Sequence, residues 1–402
     1  MALIVQKFGG TSVADLDRIR HVAGRIARSR ARGHELVVVV SAMAGETNRL
    51  LALARRAAPA PDGRETDALL ATGEQVTAAL TALALHAAGV AARSFLGLQV
   101  PIVTTADHGR ARILRIDEDR LRRTLAAGAV AVVAGFQGVA EDGSVTTLGR
   151  GGSDTSAVAL AAALGAAECE IYTDVDGIYT ADPRLVPRAR KRARIAYDEM
   201  LELASLGAKV LQIRSVEFAR RYRVPIHVRS SFHEGEGTWV VEEDPTMEEE
   251  SIAGVTYDRD QAKLTVLRVP DRPGVAATLF GTVAKAGVVV DMIIQNASAD
   301  GTTDLTFTVP RGDYERARAL VEATARTIGA QGVTGETDIA KVSIVGSGMR
   351  THAGIASRMF EVLARDGINI QMISTSEIKI SVVIDAKYTE LAVRALHDAF
   401  VG

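Results

Sequence analysis

The C-terminal part of the 402-residue chain repeats itself, and this repeat restricts the possible folds more than any other feature. Residues 275–280, VAATLF, align with residues 355–360, IASRMF, and the residues that follow align at the same offset. Each copy shows the pattern of a strand, a helix, two strands and a second helix. Because such self-similarity marks one supersecondary unit present twice, we predict two ferredoxin-like βαββαβ domains, over residues 262–337 and 338–402.

An acidic stretch separates these repeats from the first half of the chain. Residues 242–250 hold six acidic side chains and Pro245, which is typical of a solvated linker. We therefore place a first domain over residues 1–245. Met247 lies in the same stretch, so an internal start could produce a C-terminal subunit of the two repeats alone. Whether the second repeat is inserted into the first stays open at this point.

The first half of the chain alternates apolar runs with alanine-rich amphipathic stretches. Apolar strands covered by such helices indicate an α/β domain with a largely parallel sheet and helices on both faces. Since ligands of these sheets bind beyond the carboxyl ends of the strands, we expect the site in the loops that follow the strands. The predicted strands are residues 2–7, 36–40, 130–134 and 171–173, and the predicted helices are 15–32, 66–88 and 154–164.

Composition excludes several classes of function. Hydrophobic residues make up 47% and charged residues 24% of the chain, as in globular proteins. The 47 basic and 49 acidic side chains give a net charge of −2, so we expect no nucleic-acid partner. The single cysteine, Cys169, excludes an internal disulfide and suits a reducing compartment. No apolar run approaches the roughly 18 residues of a membrane span, so we expect a cytoplasmic protein with no membrane contact.

A glycine pair follows the first predicted strand. In the segment KFGGTS, Gly9 and Gly10 let backbone amides approach an oxyanion beside the charge of Lys7. A plain strand–helix turn explains this segment equally well.

A second glycine-rich segment, GRGGSD at residues 149–154, precedes a predicted helix. Arg150 can hold a carboxylate through two parallel hydrogen bonds, and the free amides of a helix N-terminus attract anions. An anion site is therefore favoured over a turn in which Asp154 only caps the helix.

The segment 172–184 follows a predicted strand and combines aromatic, hydroxyl and acidic groups with Arg184. This mixture suits a nucleotide site, although a polar hairpin remains an alternative. Glu74 and Lys209 indicate nothing by themselves, and the basic run at residues 188–194 is interpreted as a solvated face. The eight histidines show no metal-ligand spacing, so no protein metal ligand is predicted.

Taken in order and spacing, these segments resemble the aspartate kinase family. The resemblance covers essentially the whole chain and includes two C-terminal repeats similar to ACT domains. It implies an amino-acid-kinase three-layer αβα domain with a mainly parallel sheet, followed by the two ACT domains. The remaining segments that carry it are residues 41–48 (SAMAGETN), 73–74, 108–113 (HGRARI) and 207–211 (GAKVL).

This resemblance implies a reaction. MgATP would phosphorylate the side-chain carboxylate of L-aspartate, the first step toward lysine, threonine and methionine. A carboxylate needs no general base at neutral pH, so positioning and charge neutralisation would supply the catalysis. ATP and Mg²⁺ are thus the expected cofactors, with Mg²⁺ bound to the phosphates largely through water.

The resemblance also implies roles for single residues. Lys7, Glu74 and Asp154 would form the catalytic group, with Arg150 on the substrate α-carboxylate, Glu74 on its α-ammonium and Asp154 orienting Lys7. The other residues implied to bind the substrate are Ser41, Thr47, Gly151, Gly152 and Ser153. Those implied to bind ATP are Lys7, Gly9, Gly10, Thr173, Asp174, Tyr179, Arg184 and Lys209.

The ACT repeats resemble amino-acid sensors, for which lysine, threonine or both are the expected effectors. In the first repeat, Asp271 and Gly274 lead into a helix whose amides could take an effector carboxylate, and Gln295 and Asn296 offer side-chain amides. Alternatively the repeats only join copies of the chain, and a homo-oligomer through them is expected in either case.

Two other functions stay open from the sequence. The chain could be a different amino-acid kinase, acting on glutamate or an acylated amino acid. It could also be a regulatory sensor whose kinase domain is inactive, although the intact Lys7, Glu74 and Arg150 argue against that.

Overall fold

The computed structural model of the protein describes residues 2–208, 210–243, 252–297, 301–350, 352 and 354–402. Lys209 and most of the acidic stretch, Met247 included, lie outside the described residues. The chain divides into two compact units. The first comprises residues 1–179, 191–205 and 209–247, and the second comprises residues 180–190, 206–208 and 248–402.

The first unit is built from two sheets and the helices around them. Its strands are β1 (Leu3–Phe8), β2 (Glu35–Val40), β3 (Ala92–Phe95), β4 (Ile102–Thr104), β5 (Ile113–Ile116), β6 (Val130–Ala134), β7 (Gln137–Val139), β8 (Val145–Thr147), β9 (Glu168–Thr173), β10 (Arg194–Ala196), β11 (Ile226–Ser230) and β12 (Thr238–Val241). Its helices are α1 (Leu16–Ala31), α2 (Glu46–Ala57), α3 (Gly63–Leu70), α4 (Thr72–Ala87), α5 (Asp119–Ala126), α6 (Gly152–Leu164), α7 (Tyr197–Ser205) and α8 (Ile213–Tyr222).

The larger sheet has the order β10-β12-β11-β9-β1-β2-β6-β3 and is parallel except where β11 meets β12. Its central strands are rich in valine and isoleucine and buried on both faces, which is the pattern expected of covered parallel strands. Helices α1 and α4 pack against each other and against this sheet in one hydrophobic core, to which Ile26 and Leu85 contribute. Helix α6 contacts β1, β2 and β9, and the predicted parallel αβα architecture is confirmed.

The predicted single helix over residues 66–88 is two helices in the structure, α3 and α4, which meet at Ala71. Together they form a run of 25 residues whose most apolar window has a mean hydropathy of 1.4. This run is long and apolar enough to cross a membrane, which the sequence prediction missed. However, α4 packs against α1, β3 and β6 and buries Glu74, as a core helix does.

The second unit holds both predicted repeats. Its strands are β13 (Gly254–Asp258), β14 (Gln261–Pro270), β15 (Ile293–Ala297), β16 (Thr302–Pro310), β17 (Gly332–Glu336), β18 (Ile339–Val345), β19 (Met372–Thr375) and β20 (Lys379–Asp385). Its helices are α9 (Val275–Lys285), α10 (Tyr314–Ile328), α11 (Ile355–Arg365) and α12 (Thr389–Phe400). The two four-stranded sheets have the orders β15-β16-β14-β17 and β13-β18-β20-β19.

The second repeat is completed by a strand from before the first repeat. Its edge strand β13 pairs antiparallel with β18, from Gly254 opposite Val345 to Asp258 opposite Lys341. The first repeat, β14 to β17, is therefore inserted between the first strand of the second repeat and the remainder of it. This order is the reverse of the insertion considered from the sequence.

Residues 180–190 also belong to this unit. Ala181 and Val186 pack in the core that Val342, Leu363 and Leu396 form in the second repeat. The Thr180 hydroxyl lies 2.9 Å from Nε2 of the buried His397. A stretch of chain between two parts of the first unit thus completes the core of a C-terminal repeat.

Candidate active site

The carboxyl ends of four neighbouring strands bring the predicted segments together. The Gly9 N–H donates to the Tyr172 carbonyl at 3.2 Å, which joins the loops after β1 and β9. The Ser41 N–H donates to the Phe8 carbonyl at 3.0 Å and so joins the loop after β2 to the same place. These loops, together with the N-terminal turns of α4 and α6, surround one polar site.

A buried ion pair occupies the centre of this site. Lys7 ends β1, and its Nζ lies 2.5 Å from Oδ1 of Asp154 in the first turn of α6. Both side chains are only 10% exposed, so little solvent screens the pair. The arrangement holds the ammonium group of Lys7 next to Gly9.

Glycines allow three elements to approach the site closely. A Cβ atom on Gly10 would lie 2.9 Å from the Ala42 carbonyl oxygen, and one on Gly73 would lie 2.8 Å from the Ala42 Cβ. A Cβ on Gly135, just after β6, would meet the Ser153 side chain at 2.9 Å. The backbone amides of the loop after β1 are therefore packed against the loop after β2, with no side chain between them.

Glu74 is buried in the first turn of α4 with only 3% of its surface exposed. Its Oε1 accepts a hydrogen bond from the Ala42 N–H at 3.0 Å, and within the described residues its Oε2 has no partner. Burial raises the pKa of Glu74 to about 7. Oε2, a buried carboxylate oxygen without a partner, can accept a hydrogen bond from a cationic donor. The sequence did not predict the Ala42 amide, which orients the Glu74 carboxylate through Oε1.

Arg150 directly precedes the N-cap residue of α6, Gly151. Gly149 and Gly151 flank it with positive φ angles of 78° and 70°, which only glycine adopts readily. The Arg150 side chain is exposed and forms no ion pair within the described residues. No side chain caps α6, and the Gly152 N–H already donates to the Gly149 carbonyl at 2.9 Å. The amides that follow it in the first turn and the guanidinium remain available to an anion.

Sequence reasoning missed the group that positions this loop. Asp67 of α3 is 1% exposed, and its carboxylate accepts from the Gly109 N–H, the Thr147 N–H and the Thr147 hydroxyl. Arg214 of α8 donates to the carbonyl oxygens of Leu148 and Ala111. These bonds hold the chain immediately before Gly149, and no local sequence signal links residues so far apart.

A serine pair that the sequence did not reveal joins β11 to the glycine loop. The Ser12 and Ser231 hydroxyls are buried and hydrogen-bonded to each other. The Ser231 N–H also donates to the Thr173 carbonyl at 2.9 Å. Ser231 follows β11 directly, so its position after a strand was the available signal. The remaining predicted substrate residues, Ser41 and Thr47, are half-buried in the loop after β2 and the first turn of α2.

The segment after β9 is partly assembled as expected. Thr173 is half-buried and donates to the exposed Asp174 at 3.2 Å. The Tyr179 hydroxyl donates to Asp176 at 2.9 Å, and the carboxylate of Asp176 is paired with Lys191 at 3.1 Å. Lys191 belongs to the basic run that was interpreted as a solvated face, and the structure gives it this acidic partner.

Two predicted ATP residues lie outside the described part of the first unit. Arg184 lies in the second unit, with its side chain 87% exposed and paired with Asp182 at 2.8 Å. Lys209 lies outside the described residues, so its position stays a prediction.

In the first ACT repeat, the predicted effector residues lie at one end of the sheet. Gly274 caps α9 with a φ of 94° and no side-chain cap, which leaves the helix amides open. The Asp271 N–H donates to the Gly301 carbonyl at 2.9 Å, and Asn296 pairs with Asp304 across the same end. Gln295 and Asn296 are exposed.

Comparisons with known proteins agree with this architecture. The amino acid kinase family matches residues 2–230, and ACT domains match residues 264–329 and 342–400. An aspartate kinase of Pseudomonas putida is 60% identical over 401 residues, which span 100% of this chain and 98% of that protein. An aspartokinase of Mycolicibacterium smegmatis is 53% identical and matches 100% of this chain and 96% of its own length.

Solved structures agree as well. Escherichia coli aspartokinase III in complex with aspartate and ADP matches with a TM-score of 0.83 at 28% identity, covering 100% of both chains. The same enzyme in complex with lysine and aspartate matches with a TM-score of 0.79, also at 28% identity over both full chains.

The fold and the full-length similarity define an enzyme of the amino acid kinase family that carries two ACT domains. Within that family, the chain belongs to the aspartate kinases.

Proposed function

We propose that this enzyme transfers the γ-phosphoryl group of ATP to the side-chain carboxylate of L-aspartate, giving 4-phospho-L-aspartate and ADP. The proposal rests above all on the buried Lys7–Asp154 pair, which lies beside the glycine loop and the first turn of α6. It is supported by the relative whose structure contains aspartate and ADP. The product would enter the synthesis of lysine, threonine and methionine.

Substrate recognition follows from two oppositely charged groups. Arg150 would bind the α-carboxylate, because its guanidinium has no acidic partner among the described residues. Glu74 would accept a hydrogen bond from the α-ammonium through its unpartnered Oε2. This pairing selects an amino acid over a plain dicarboxylic acid, and Ser41 and Thr47 would line the same pocket.

Phosphoryl transfer requires positive groups that offset the repulsion between the attacking carboxylate and the triphosphate. Lys7 would neutralise the transferring oxygens, held in position by Asp154. The Gly10 amide would donate to the same oxygens, and the close packing of its loop against Ala42 keeps that loop rigid. The predicted Gly9 contact is not supported in the same way, because the Gly9 N–H already donates to the Tyr172 carbonyl. Mg²⁺, when bound to the phosphates, would add further positive charge.

Thr173, Asp174 and Tyr179 would contact the nucleotide from the loop after β9. The Tyr179 hydroxyl is held by Asp176, and this bond fixes the ring at the end of the loop. For Arg184 and Lys209, the proposed contacts with ATP rest on the family resemblance alone.

We also propose feedback inhibition through the ACT domains, with lysine, threonine or both as effectors. The support is the open N-terminus of α9 in the first repeat and the relative whose structure contains lysine. Inhibition requires that the effector bind an inactive arrangement more tightly than the active one.

An assay of ADP formation tests both proposals. Activity is expected with L-aspartate and not with L-glutamate or N-acetyl-L-glutamate, and saturating lysine plus threonine should lower it. Activity with glutamate in place of aspartate would refute the substrate assignment. Kinetics unchanged by both end products would refute the sensing role alone.

A further inference from the structure

A second polar cavity lies in the first unit, between α1 and the strands β1, β9 and β11. It has a volume of about 160 Å³, which is room for several water molecules. Arg25 and Arg28 of α1 line it from one side, since residues three apart share a helix face, and Arg32, the residue that caps the C-terminus of α1, lines the same side. Glu168, Glu170 and Arg229, on β9 and β11, line it from the sheet.

Several buried polar atoms at this cavity lack partners within the described residues. Arg25 is 6% exposed and Gln6 is 1% exposed, yet Nε of Arg25 and Oε1 of Gln6 make no hydrogen bond. Nε of Arg229 and Nδ1 of His34 are likewise buried and unpartnered. Of these four atoms, the two arginine Nε–H groups are donors, Oε1 of Gln6 is an acceptor, and Nδ1 of His34 is one or the other according to its tautomer. Buried polar atoms are almost always satisfied, so their concentration here indicates a polar occupant.

Charge identifies the occupant. Four arginines and three glutamates line the cavity, which leaves an excess of positive charge before His34 is counted. Glu170 accepts from Gln6 at 2.6 Å and Arg229 at 2.8 Å, and Glu234 pairs with Arg28 at 3.4 Å. The Arg32 side chain has no acidic partner within the described residues. We propose that this cavity binds a small tetrahedral oxyanion of the phosphate class.

A divalent cation is the competing occupant. Ligand atoms of Glu168, Glu170 and His227 lie within 4.8 Å of one another, a spacing that a metal ion could use. However, the Arg229 guanidinium is 2.8 Å from Glu170, and Nε2 of His227 lies 2.6 Å from the Glu236 carbonyl oxygen. A cation there would meet the fixed positive charge of Arg229, whereas an oxyanion in the cavity would face a lining in which four arginines outnumber three glutamates.

Equilibrium dialysis of the full chain with labelled inorganic phosphate tests the proposal. A non-hydrolysable ATP analogue with aspartate blocks the kinase site, and ionic strength is held constant. We expect about one phosphate per chain to remain bound. The double variant Arg28→Gln/Arg32→Gln should weaken binding roughly tenfold or more, since charged hydrogen bonds contribute most to anion affinity.

Two further variants make the result specific. Arg20→Gln, on the same helix but exposed and paired with Asp17 at 2.7 Å, should bind phosphate as the wild type does. Glu168→Gln should bind it several-fold more tightly, because a negative charge leaves the cavity lining. If glycerol phosphate competes with inorganic phosphate for the cavity, the natural ligand is the phosphoryl group of a metabolite. If it does not compete, the natural ligand is free phosphate.

Three outcomes would overturn the proposal. These are no phosphate bound beyond the blocked kinase site, equal binding by the double variant, and Mn²⁺ binding that Glu168→Gln abolishes while phosphate does not bind. Because the substituted arginines are largely exposed, their variants should fold normally, which thermal unfolding checks. None of these outcomes depends on the reaction proposed for the kinase site.

Discussion

At the scale of single residues, Lys7, Asp154 and Glu74 of the kinase site are held out of solvent, whereas Arg150 is exposed. Burying an ion pair gives little net stability, because desolvation offsets much of the attraction between the two charges. The Lys7–Asp154 pair, with each side chain 10% exposed, is therefore a weak source of stability, which fits the catalytic role proposed for it. It presents an ammonium group in fixed orientation at the loop where the phosphates would lie.

The first prediction concerns this ammonium group. Lys7→Ala should lower kcat by roughly 10²–10³-fold, the usual effect of removing one preorganised charge-stabilising donor. Steady-state ADP formation at saturating ATP and aspartate measures it. Lys285→Ala, which removes an exposed lysine from α9, serves as the control and should leave kcat unchanged. Near-normal turnover in the Lys7 variant would exclude this residue from the mechanism.

The second prediction concerns pH. Burial raises the pKa of Glu74 to about 7, well above its unfolded value, so folding favours the protonated form. The contribution of Glu74 to stability is then fully present below its unfolded pKa and is lost as pH rises through 7. Binding of the α-ammonium needs the ionised form, so kcat/KM for aspartate should rise with pH through about 7.

The matched variant for this prediction is Glu74→Gln. It should raise the KM for aspartate about tenfold or more, as expected for losing a charged hydrogen bond, and should remove the inflection near neutral pH. Profiles of kcat/KM from pH 5.5 to 8.5 compare the two proteins. An identical inflection in both would assign the titration to another group.

Residues of this site differ in how well the sequence predicts them. Lys7, Gly9 and Arg150 stand in glycine-rich segments after a strand or before a helix. Local residues favoured an anion site at Arg150, whereas at Lys7 and Gly9 a plain turn was equally compatible until the family resemblance was added. Glu74 is a lone acid on a helix, which is usually solvated, and only the family resemblance singled it out. Asp67 was not predicted at all, because its partners Gly109 and Thr147 are 42 and 80 residues further along the chain.

At the scale of elements, Asp67 connects α3 to two loops of the site. Its carboxylate receives three donors from Gly109 and Thr147, and it lies 3.0 Å from Nδ1 of His108. These contacts fix β8 and the turn before β5 against each other. The chain leaves β8 at Thr147 and reaches Arg150 three residues later, so the position of Arg150 depends on this carboxylate.

The third prediction separates this positioning role from simple stability. Asp67→Ala leaves buried donors unsatisfied and should cost about 1–3 kcal/mol of unfolding free energy. It should also raise the KM for aspartate several-fold more than it lowers kcat, since Arg150 would bind the substrate and not the transferring phosphate. Denaturant unfolding and steady-state kinetics measure the two effects.

Asp62→Ala provides the control on the same helix. Asp62 caps α3 by accepting from the Glu65 N–H, so its loss should cost about 0.5–2 kcal/mol without disturbing the loops. The KM for aspartate should then stay near that of the wild type. If both variants raise KM equally, Asp67 acts through stability alone.

Among the elements, those with strong local periodicity agree with the prediction most closely. The helix predicted over residues 15–32 is α1, Leu16–Ala31, whose N-terminus is capped by Asp15. The predicted helix over residues 66–88 is broken at Ala71, two residues before Gly73, which the sequence prediction had kept inside one helix. Strand β13 was missed as part of a repeat, since its partner β18 is about 85 positions away and no periodicity reports such pairing.

At the scale of the whole molecule, chain order and domain order differ. Strand β13 precedes the first ACT repeat but completes the sheet of the second. Residues 180–190 leave the first unit and complete the core of the second repeat through Ala181 and Val186. Charge and proline alone predicted the acidic stretch as a domain boundary. The assignments of β13 and of residues 180–190 to the second repeat depend on tertiary contacts, which composition does not reveal.

The last prediction concerns a C-terminal subunit made from an internal start. A fragment from Met247 to Gly402 contains β13 and therefore all four strands of both sheets. A fragment from Ala262 lacks β13, which exposes the backbone of β18 and the apolar side chains that Val255 covers. We expect the longer fragment to be soluble and to unfold cooperatively, and the shorter one to aggregate.

Both fragments lack residues 180–190, so this shared loss cannot account for a difference between them. Circular dichroism during thermal unfolding and size-exclusion chromatography compare the two. A variant of the longer fragment, Val255→Asp, should behave like the shorter one, because a buried charge cannot replace the apolar contact that Val255 makes at 3% exposure. Equal solubility and cooperativity of all three fragments would mean that the second repeat folds without its donated strand.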